Sequence, residues 1–182
     1  MSQIILWKNG TGLYAKLQKW FSGYPYSHSA IYTMRHLGMD WVYEASLSLS
    51  ANPVNLNNPN IEIWHCNLDL DKALQNIIPR VAGRPYAFLQ ILYFVRRKFY
   101  ELFPLFWKLR SLIGVKKVTK LNNWFPRSQI CTEFWYDVIK EASYTEAKDL
   151  YDYLDDNFDG NNLYVLDVLK TMYLFPQYFE KI

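Results

Sequence analysis

The stretch from residue 26 to residue 45 reads YSHSAIYTMRHLGMDWVYEA, and it predicts the central hairpin of the fold. Residues 27–34 and 41–45 are strand-like runs, and the polar turn between them contains Gly38. Side chains alternate across a strand, so a register that pairs residue 28 with residue 44 or 46 places His28 and Glu44 on one sheet face. The hairpin therefore predicts that an imidazole and a carboxylate lie side by side.

Further strands and loops are predicted on both sides of this hairpin. Residues 2–7 and 61–66 have strand patterns, whereas residues 52–60 contain two prolines and are expected to form a loop. His65 and Cys66 are neighbours on the last of these strands and should point to opposite faces, so they are not expected to form a site. His36 is interpreted as a turn residue.

Helices are predicted before the hairpin, after the strand at 61–66 and in the last third of the chain. The first has four apolar residues on one face, namely Leu13, Leu17, Trp20 and Phe21. The second is capped by Asp69 or Asp71 and runs to about Val81. A third is capped by Ser128, and its apolar face comprises Cys131, Phe134, Trp135, Val138 and Ile139. The acidic tail after it is predicted to be mostly helical. The predicted class is α+β, with a small antiparallel sheet and flanking helices.

Composition narrows the class of protein. The chain has 182 residues, of which 51% are hydrophobic and 20% charged, a balance that favours one folded domain and excludes a mainly disordered chain. Two cysteines are too few for a disulfide framework or for a metal cluster of their own. The N-terminus has no secretory signal pattern, so a cytoplasmic location is predicted.

A basic, aromatic segment interrupts the chain at about residues 86–125, and it is interpreted as a helical insertion into a single catalytic domain spanning residues 1–182. Residues 84–120 hold nine basic residues and one acid. The longest charge-free run, 85–95, is too short for a transmembrane helix. An interfacial role would use the cations Arg96, Arg97, Lys98, Lys116 and Lys117 for peripheral contact with an anionic membrane. Solvated basic helices explain the segment equally well, and no nucleic-acid motif accompanies it, so nucleic acid is not the expected partner.

Cys131 and His28 are the residues best suited to act as a nucleophile and a base. Cys131 lies just inside a predicted helix N-terminus, where the helix dipole favours a thiolate, although a lone cysteine is more often a small buried apolar residue. His28 begins a strand of small and apolar residues, where its ring needs a partner, and Glu44 on the next strand can supply one. A core histidine and a solvated carboxylate are the alternatives, and the combination carries more weight than any one residue.

Four short blocks in this order resemble a known family. They are Ser27-His28-Ser29-Ala30-Ile31-Tyr32, Val42-Tyr43-Glu44-Ala45, Gly83-Arg84-Pro85-Tyr86 and Ile130-Cys131-Thr132-Glu133-Phe134. Together they resemble the permuted branch of the NlpC-type papain-like cysteine hydrolases, whose relatives include the YiiX/YaeF-like proteins and, further off, the lecithin retinol acyltransferase group. Two positions depart from the family pattern: Ala87 stands where the family has an aspartate, and Thr132 stands where it has a serine.

The resemblance implies a permuted papain-like fold and a thiol hydrolase of the cysteine peptidase or amidase type. By position, it implies Cys131 as the nucleophile, His28 as the base and Glu44 as the residue that orients the histidine, with Tyr86 and Glu133 in supporting positions. The backbone N–H of Cys131 is a suitable oxyanion donor. No metal or organic cofactor is required.

Several substrates and functions fit this prediction. The substrate class covers a peptide, an acyl-lysine, and a lipid-like amide or ester. One alternative function is a lipid acyl hydrolase or acyltransferase. Another is a non-catalytic module on the same fold that binds a membrane surface or a partner.

Overall fold

The structure is a computed structural model, and it describes residues 3–8, 10–22, 25–45, 48–84, 131–158 and 165–182. The chain divides into two units, one formed by residues 1–86 and 129–182 and the other by residues 87–128. The second unit and the whole of the predicted insertion at 86–125, which includes Tyr86, lie outside the described residues.

A six-stranded antiparallel sheet forms the centre of the first unit. Its strands along the chain are β1 (Gln3–Lys8), β2 (Tyr26–His36), β3 (Met39–Ala45), β4 (Leu49–Val54), β5 (Ile61–Cys66) and β6 (Phe179–Lys181). The spatial order is β4-β3-β2-β1-β5-β6, so β2 and β1 are central strands. The predicted hairpin and the predicted strands near residues 2–7 and 61–66 are confirmed.

The hairpin turn consists of two residues, Leu37 and Gly38, with φ angles of 49° and 77°. Two residues with positive φ form the type of two-residue turn whose twist matches that of the flanking strands, and glycine at the second position makes this possible. His36 pairs with Met39 as the last residue of β2, so its interpretation as a turn residue is wrong by one position.

The ends of the sheet differ from the prediction in two places. Residues 52–54 belong to strand β4 rather than to a loop, and Pro53 is tolerated because β4 is an edge strand that needs no donor on its open side. In the tail, the short strand β6 adds to β5 through the pair Cys66 and Phe179, where sequence patterns predict mostly helix. Strand β4 forms by pairing with the preceding strand β3, and β6 forms by pairing with residues more than 100 positions earlier in the chain.

Five helices are described in this unit. They are α1 (Leu13–Ser22), α2 (Leu70–Val81), α3 (Cys131–Glu146), α4 (Lys148–Asn157) and α5 (Val165–Leu174). Asp69 caps α2, because its side chain accepts a hydrogen bond of 3.0 Å from the backbone N–H of Lys72. The predicted cap of α3, Ser128, lies outside the described residues.

Helix α3 is the buried helix of the unit. It packs against α2, α4 and strand β2. The predicted apolar face is confirmed, since Phe134, Trp135, Val138 and Ile139 are all fully buried. This packing holds Cys131, the first described residue of the helix, against the sheet.

Helix α1 differs from the prediction in its exposure. Leu13 is 76% exposed and Trp20 is 67% exposed, although both belong to the predicted apolar face. Leu17 on the same face is half-buried. Helical periodicity shows which side chains share a face, but the packing of the sheet decides how much of that face is covered.

The architecture is α+β with a small antiparallel sheet and flanking helices, as predicted, and it is consistent with a papain-like fold. The histidine-bearing strand precedes the cysteine-bearing helix in the chain. Across the described ranges, no helix is long and apolar enough to cross a membrane.

Candidate active site

His28 lies where the pairing between β1 and β2 becomes irregular. Trp7 pairs with His28, but the next residue of β1, Lys8, pairs with Tyr26, so β2 carries one extra residue at this point. Such a bulge changes the direction of nearby side chains without ending the strand. The His28 side chain is only 19% exposed.

His28 and Glu44 form the central polar contact of the candidate site. Nε2 of His28 is 2.7 Å from Oε2 of Glu44, and the Glu44 side chain is 14% exposed. The register between β2 and β3, which pairs Tyr32 with Val42, continues to a position that places residues 28 and 44 on the same face. The predicted proximity of the two side chains is therefore observed.

This contact also fixes the roles of the two ring nitrogens of His28. An ionised carboxylate only accepts hydrogen bonds, so Nε2 must carry the proton that is donated to Glu44. Nδ1 is then the nitrogen left for Cys131. This is the tautomer that a base facing a thiol requires.

Cys131 is 1% exposed and forms a hydrogen bond with the His28 side chain. Burial by itself raises the pKa of the thiol, but the positive charge of His28 and the hydrogen bond to its ring outweigh this effect. The pKa of Cys131 is therefore held below its ordinary value. The thiolate is the favoured form when His28 is protonated.

Ser29 gives the sulfur of Cys131 further support. Donation from the Ser29 backbone and hydroxyl to an ionised Cys131 lowers the pKa of that thiol. The hydroxyl oxygen is buried and has no hydrogen-bond partner of its own within the described part of the chain. A thiolate at Cys131 therefore offers this hydroxyl an acceptor that it otherwise lacks.

The balance at His28 favours the imidazolium. Burial alone lowers the pKa of the ring, but the charge of the Cys131 thiolate, its hydrogen bond and the hydrogen bond to Glu44 raise it to about 10. The pKa of Glu44 is in turn held low: burial raises it, and the hydrogen bonds from His28 and Asn52 overcome that effect. The three side chains thus favour a thiolate, an imidazolium and a carboxylate in series.

Asn52 extends this series to the edge strand β4. Its Nδ2 donates to Oε1 of Glu44 at 3.1 Å and to Oγ of Ser50 at 3.2 Å. Residue 52 pairs with Val42 and Ser50 pairs with Glu44, so Asn52 is the diagonal neighbour of Glu44 on the same face. Both oxygens of the Glu44 carboxylate are therefore engaged.

Of the two residues predicted to support the site, Glu133 is the one that the structure describes. Glu133 is 5% exposed and lies two residues after Cys131 on α3, a spacing at which helical side chains do not face each other. Tyr86 and the cations predicted for membrane contact lie outside the described residues; these cations are Arg96, Arg97, Lys98, Lys116 and Lys117.

Cys66 provides an internal comparison for Cys131. It is a free, buried thiol on β5, and burial raises its pKa to about 12. Burial alternates along β5, with Cys66 buried and His65 half-buried, as expected for side chains on opposite faces. The surroundings of the two cysteines therefore differ in charge. His28 lies beside Cys131, and it has no effect on the pKa of Cys66.

Sequence reasoning missed Asn52 and Ser29 as members of the site. Asn52 is hidden by Pro53, which makes residues 52–60 resemble a loop. Only the spacing of Ser50 and Asn52, two residues apart, indicates a strand with polar side chains directed to one face. Ser29 carries no signal of its own, because a small residue within a strand is typical of packing.

No protein-family model and no curated protein matches the chain. A solved structure similar to it is that of the metalloprotein YiiX from Escherichia coli O157:H7. The two chains are 16% identical, with a TM-score of 0.49, and the match covers 78% of this chain and 66% of the YiiX chain. This chain therefore spans slightly less than two thirds of the length of YiiX, and at this identity the likeness concerns the fold alone.

The described residues offer no cluster of side chains suited to binding a metal ion. Within the ranges that the structure describes, no group of three or more His, Cys, Asp and Glu side chains is arranged to hold one. The side chains of Cys131, His28 and Glu44 bond to one another in a line instead of converging on a common point. This donor set does not fit a metal centre.

Proposed function

We propose that this protein is a thiol hydrolase that cleaves an amide or ester bond through Cys131, His28 and Glu44. The observation that carries the proposal is the contact of 2.7 Å between His28 Nε2 and Glu44 Oε2, with the other side of the ring bonded to a buried cysteine of lowered pKa. Nucleophile, base and orienting group in this order form the general arrangement of covalent acyl-transfer enzymes.

In the first half of the proposed reaction, the Cys131 sulfur attacks the carbonyl carbon of the substrate and forms a tetrahedral intermediate. Backbone N–H groups at the start of α3, including that of Cys131, stabilise the oxyanion. Nδ1 of His28 gives its proton to the leaving amine or alcohol, which departs as the carbon–nitrogen or carbon–oxygen bond breaks. The product is a thioester on Cys131.

In the second half, water replaces the leaving group. His28 takes a proton from the water through Nδ1, the hydroxide attacks the thioester, and the carboxylic acid product leaves as the thiolate forms again. Glu44 holds Nε2–H throughout and stabilises the positive charge of the ring. An amine or alcohol that takes the place of water gives the acyltransferase variant of the same chemistry.

Burial of Cys131 bears on substrate access. The residue is 1% exposed, whereas His28 is 19% exposed and Glu44 is 14% exposed. The exposed part of this arrangement is thus the ring and the carboxylate. A substrate approaches the sulfur along the His28 side, where its leaving group meets Nδ1.

The proposal is tested by trapping the thioester. The full chain is mixed with p-nitrophenyl butyrate, nitrophenol release is followed in the first seconds, and the quenched protein is analysed by peptide mass spectrometry. We expect a burst of nitrophenol and a butyryl adduct on Cys131, and neither in Cys131→Ala. Cys66→Ala is the matched control and should behave like the wild type, since the pKa of that thiol is raised to about 12.

Two results would contradict the proposal. One is full ester turnover by Cys131→Ala, and the other is a wild-type protein that forms no adduct with the ester and none with a peptide p-nitroanilide. The second result would favour a non-catalytic module on the same fold. Adding a primary amine during turnover separates hydrolase from acyltransferase, because an acyltransferase forms the amide in preference to the acid.

A further inference from the structure

The amide of Asn52 connects the edge strand β4 to the carboxylate of Glu44. Its Nδ2 carries two hydrogens and donates one to Glu44 Oε1 at 3.1 Å and the other to Ser50 Oγ at 3.2 Å. Because Glu44 accepts from His28 through Oε2 at 2.7 Å, its two oxygens are held by donors from two different strands. The carboxylate is therefore fixed in both position and rotation.

The orientation of the Asn52 amide follows from the same contacts. If the amide were turned by 180°, its carbonyl oxygen would face a carboxylate oxygen, and both atoms only accept hydrogen bonds. Nδ2 must therefore face Glu44. Asn52 is neutral, so it satisfies Oε1 without cancelling the negative charge that acts on His28, as a lysine or arginine would do.

Strand β4 is anchored at its first residue, Leu49, at the end farthest from the Leu37–Gly38 turn. The backbone N–H of Leu49 donates to the carbonyl of Arg84 at 2.9 Å, and the N–H of Gly83 donates to the carbonyl of Leu49 at 3.0 Å. The register of β4 against β3 places Asn52 opposite Val42. The amide is thus presented by a strand that pairs with β3 along its length and is anchored at Leu49 on its other edge, which favours a precise side-chain position.

We propose that Asn52 is a positioning residue of the candidate active site, which acts through Glu44 to hold the His28 ring against Cys131. This inference rests on the proposed function and deepens it, because it extends the catalytic series by one residue that touches neither the sulfur nor the substrate. Loss of the amide frees the Glu44 carboxylate to rotate. His28 then loses part of the interaction that keeps its ring charged and aligned with the thiol.

The test measures the pH at which Cys131 loses half of its maximal rate of alkylation by iodoacetamide. In Asn52→Leu we expect this midpoint to rise by about half a pH unit, the order expected when one hydrogen bond to a charged group is lost and the effect passes through a second residue. Asn52→Ala, which removes the donor without adding bulk, should give the same direction if the leucine variant does not fold. Asn57→Leu is the control, because Asn57 is exposed on the connection after β4.

A double-mutant cycle separates positioning from a merely structural role. In a Glu44→Gln background, Asn52→Leu should leave the midpoint unchanged, because the group through which Asn52 acts has already been altered. An equal shift with and without Glu44 would overturn the inference, and so would a folded Asn52 variant with the wild-type midpoint. A wild-type midpoint near the ordinary cysteine value would instead contradict the proposed function itself, so the two failures are distinguishable.

Discussion

His28 on β2 and Glu44 on β3 are joined by a hydrogen bond of 2.7 Å between Nε2 and Oε2, and this bond determines which nitrogen of the ring faces Cys131. Both residues lie on the same face of adjacent antiparallel strands, where they are diagonal neighbours. The rigid backbone of the hairpin thus sets the geometry of the base. The cysteine beside this ring comes from a separate helix, α3.

The first prediction concerns the two cysteines. Iodoacetamide should modify Cys131 well below pH 8.5 and leave Cys66 untouched in the folded protein, because His28 lowers the pKa of Cys131 and burial raises that of Cys66 to about 12. Peptide mass spectrometry after short labelling at several pH values measures both rates. Faster labelling of Cys66 would show that the nucleophile is wrongly assigned.

The second prediction concerns the partners of Cys131. At pH 6, His28→Ala should slow alkylation of Cys131 by up to about 300-fold, because a thiol whose pKa has returned to about 8.5 is ionised to only about one part in 300 at that pH. Glu44→Gln should slow it less, by about 10-fold, because the carboxylate acts only through His28. Tyr32→Phe is the control, since its hydroxyl donates to Asp40 instead. Equal rates in His28→Ala and the wild type at pH 6, with both proteins folded, are incompatible with a thiolate and imidazolium pair.

The third prediction concerns stability at alkaline pH. The pKa of His28 is raised to about 10, so its contribution to stability is complete below about pH 6.5 and is lost as the pH rises toward 10. The lowered pKa of Cys131 has the opposite sign, and its contribution is lost as the pH falls through the folded-state value. Above about pH 8.5 a cysteine in the unfolded chain is also ionised, so only the His28 effect remains.

The free energy of unfolding of the wild type, relative to Cys131→Ala, should therefore fall by about 1 kcal/mol between pH 8.5 and pH 10, where the folded-state ring is half deprotonated. Urea unfolding of both proteins at each pH measures this difference, and the variant serves to subtract all other titrating groups. A difference that stays constant, or grows, across this range would show that His28 is not held as an imidazolium by the thiolate.

The fourth prediction concerns the close contact between the loop before α1 and strand β2. A Cβ atom at Gly10 would lie 2.7 Å from both Ala15 Cβ and Ser27 Oγ, whereas one at Gly12 meets nothing within 4 Å. Gly10→Ala should therefore cost about 1 to 3 kcal/mol of stability, and Gly12→Ala very little. Thermal unfolding of the two variants measures the difference. A Gly10 variant as stable as the Gly12 variant would mean that the loop does not pack against β2 as described.

The sequence predicted much of the fold because several of its elements are encoded locally. The hairpin follows from alternation around Gly38, and the cap of α2 follows from Asp69. The errors lie where pairing with another strand overrides the local pattern. Pro53 makes β4 resemble a loop, and β6 is a short tail segment that becomes a strand only by pairing with β5.

The sequence by itself determined the residue types of the site and the alignment of His28 with Glu44, because a hairpin register is set by short-range alternation and by the turn. Only the tertiary structure decided that Cys131 reaches the ring, that Ser29 supports the sulfur, and that Asn52 holds the carboxylate. The contacts of Cys131 join segments about 100 residues apart and depend on how α3 packs against the sheet, whereas the contact of Asn52 with Glu44 depends on how β4 pairs with β3. No local pattern encodes such packing, since it arises only when the buried surfaces of separate elements meet.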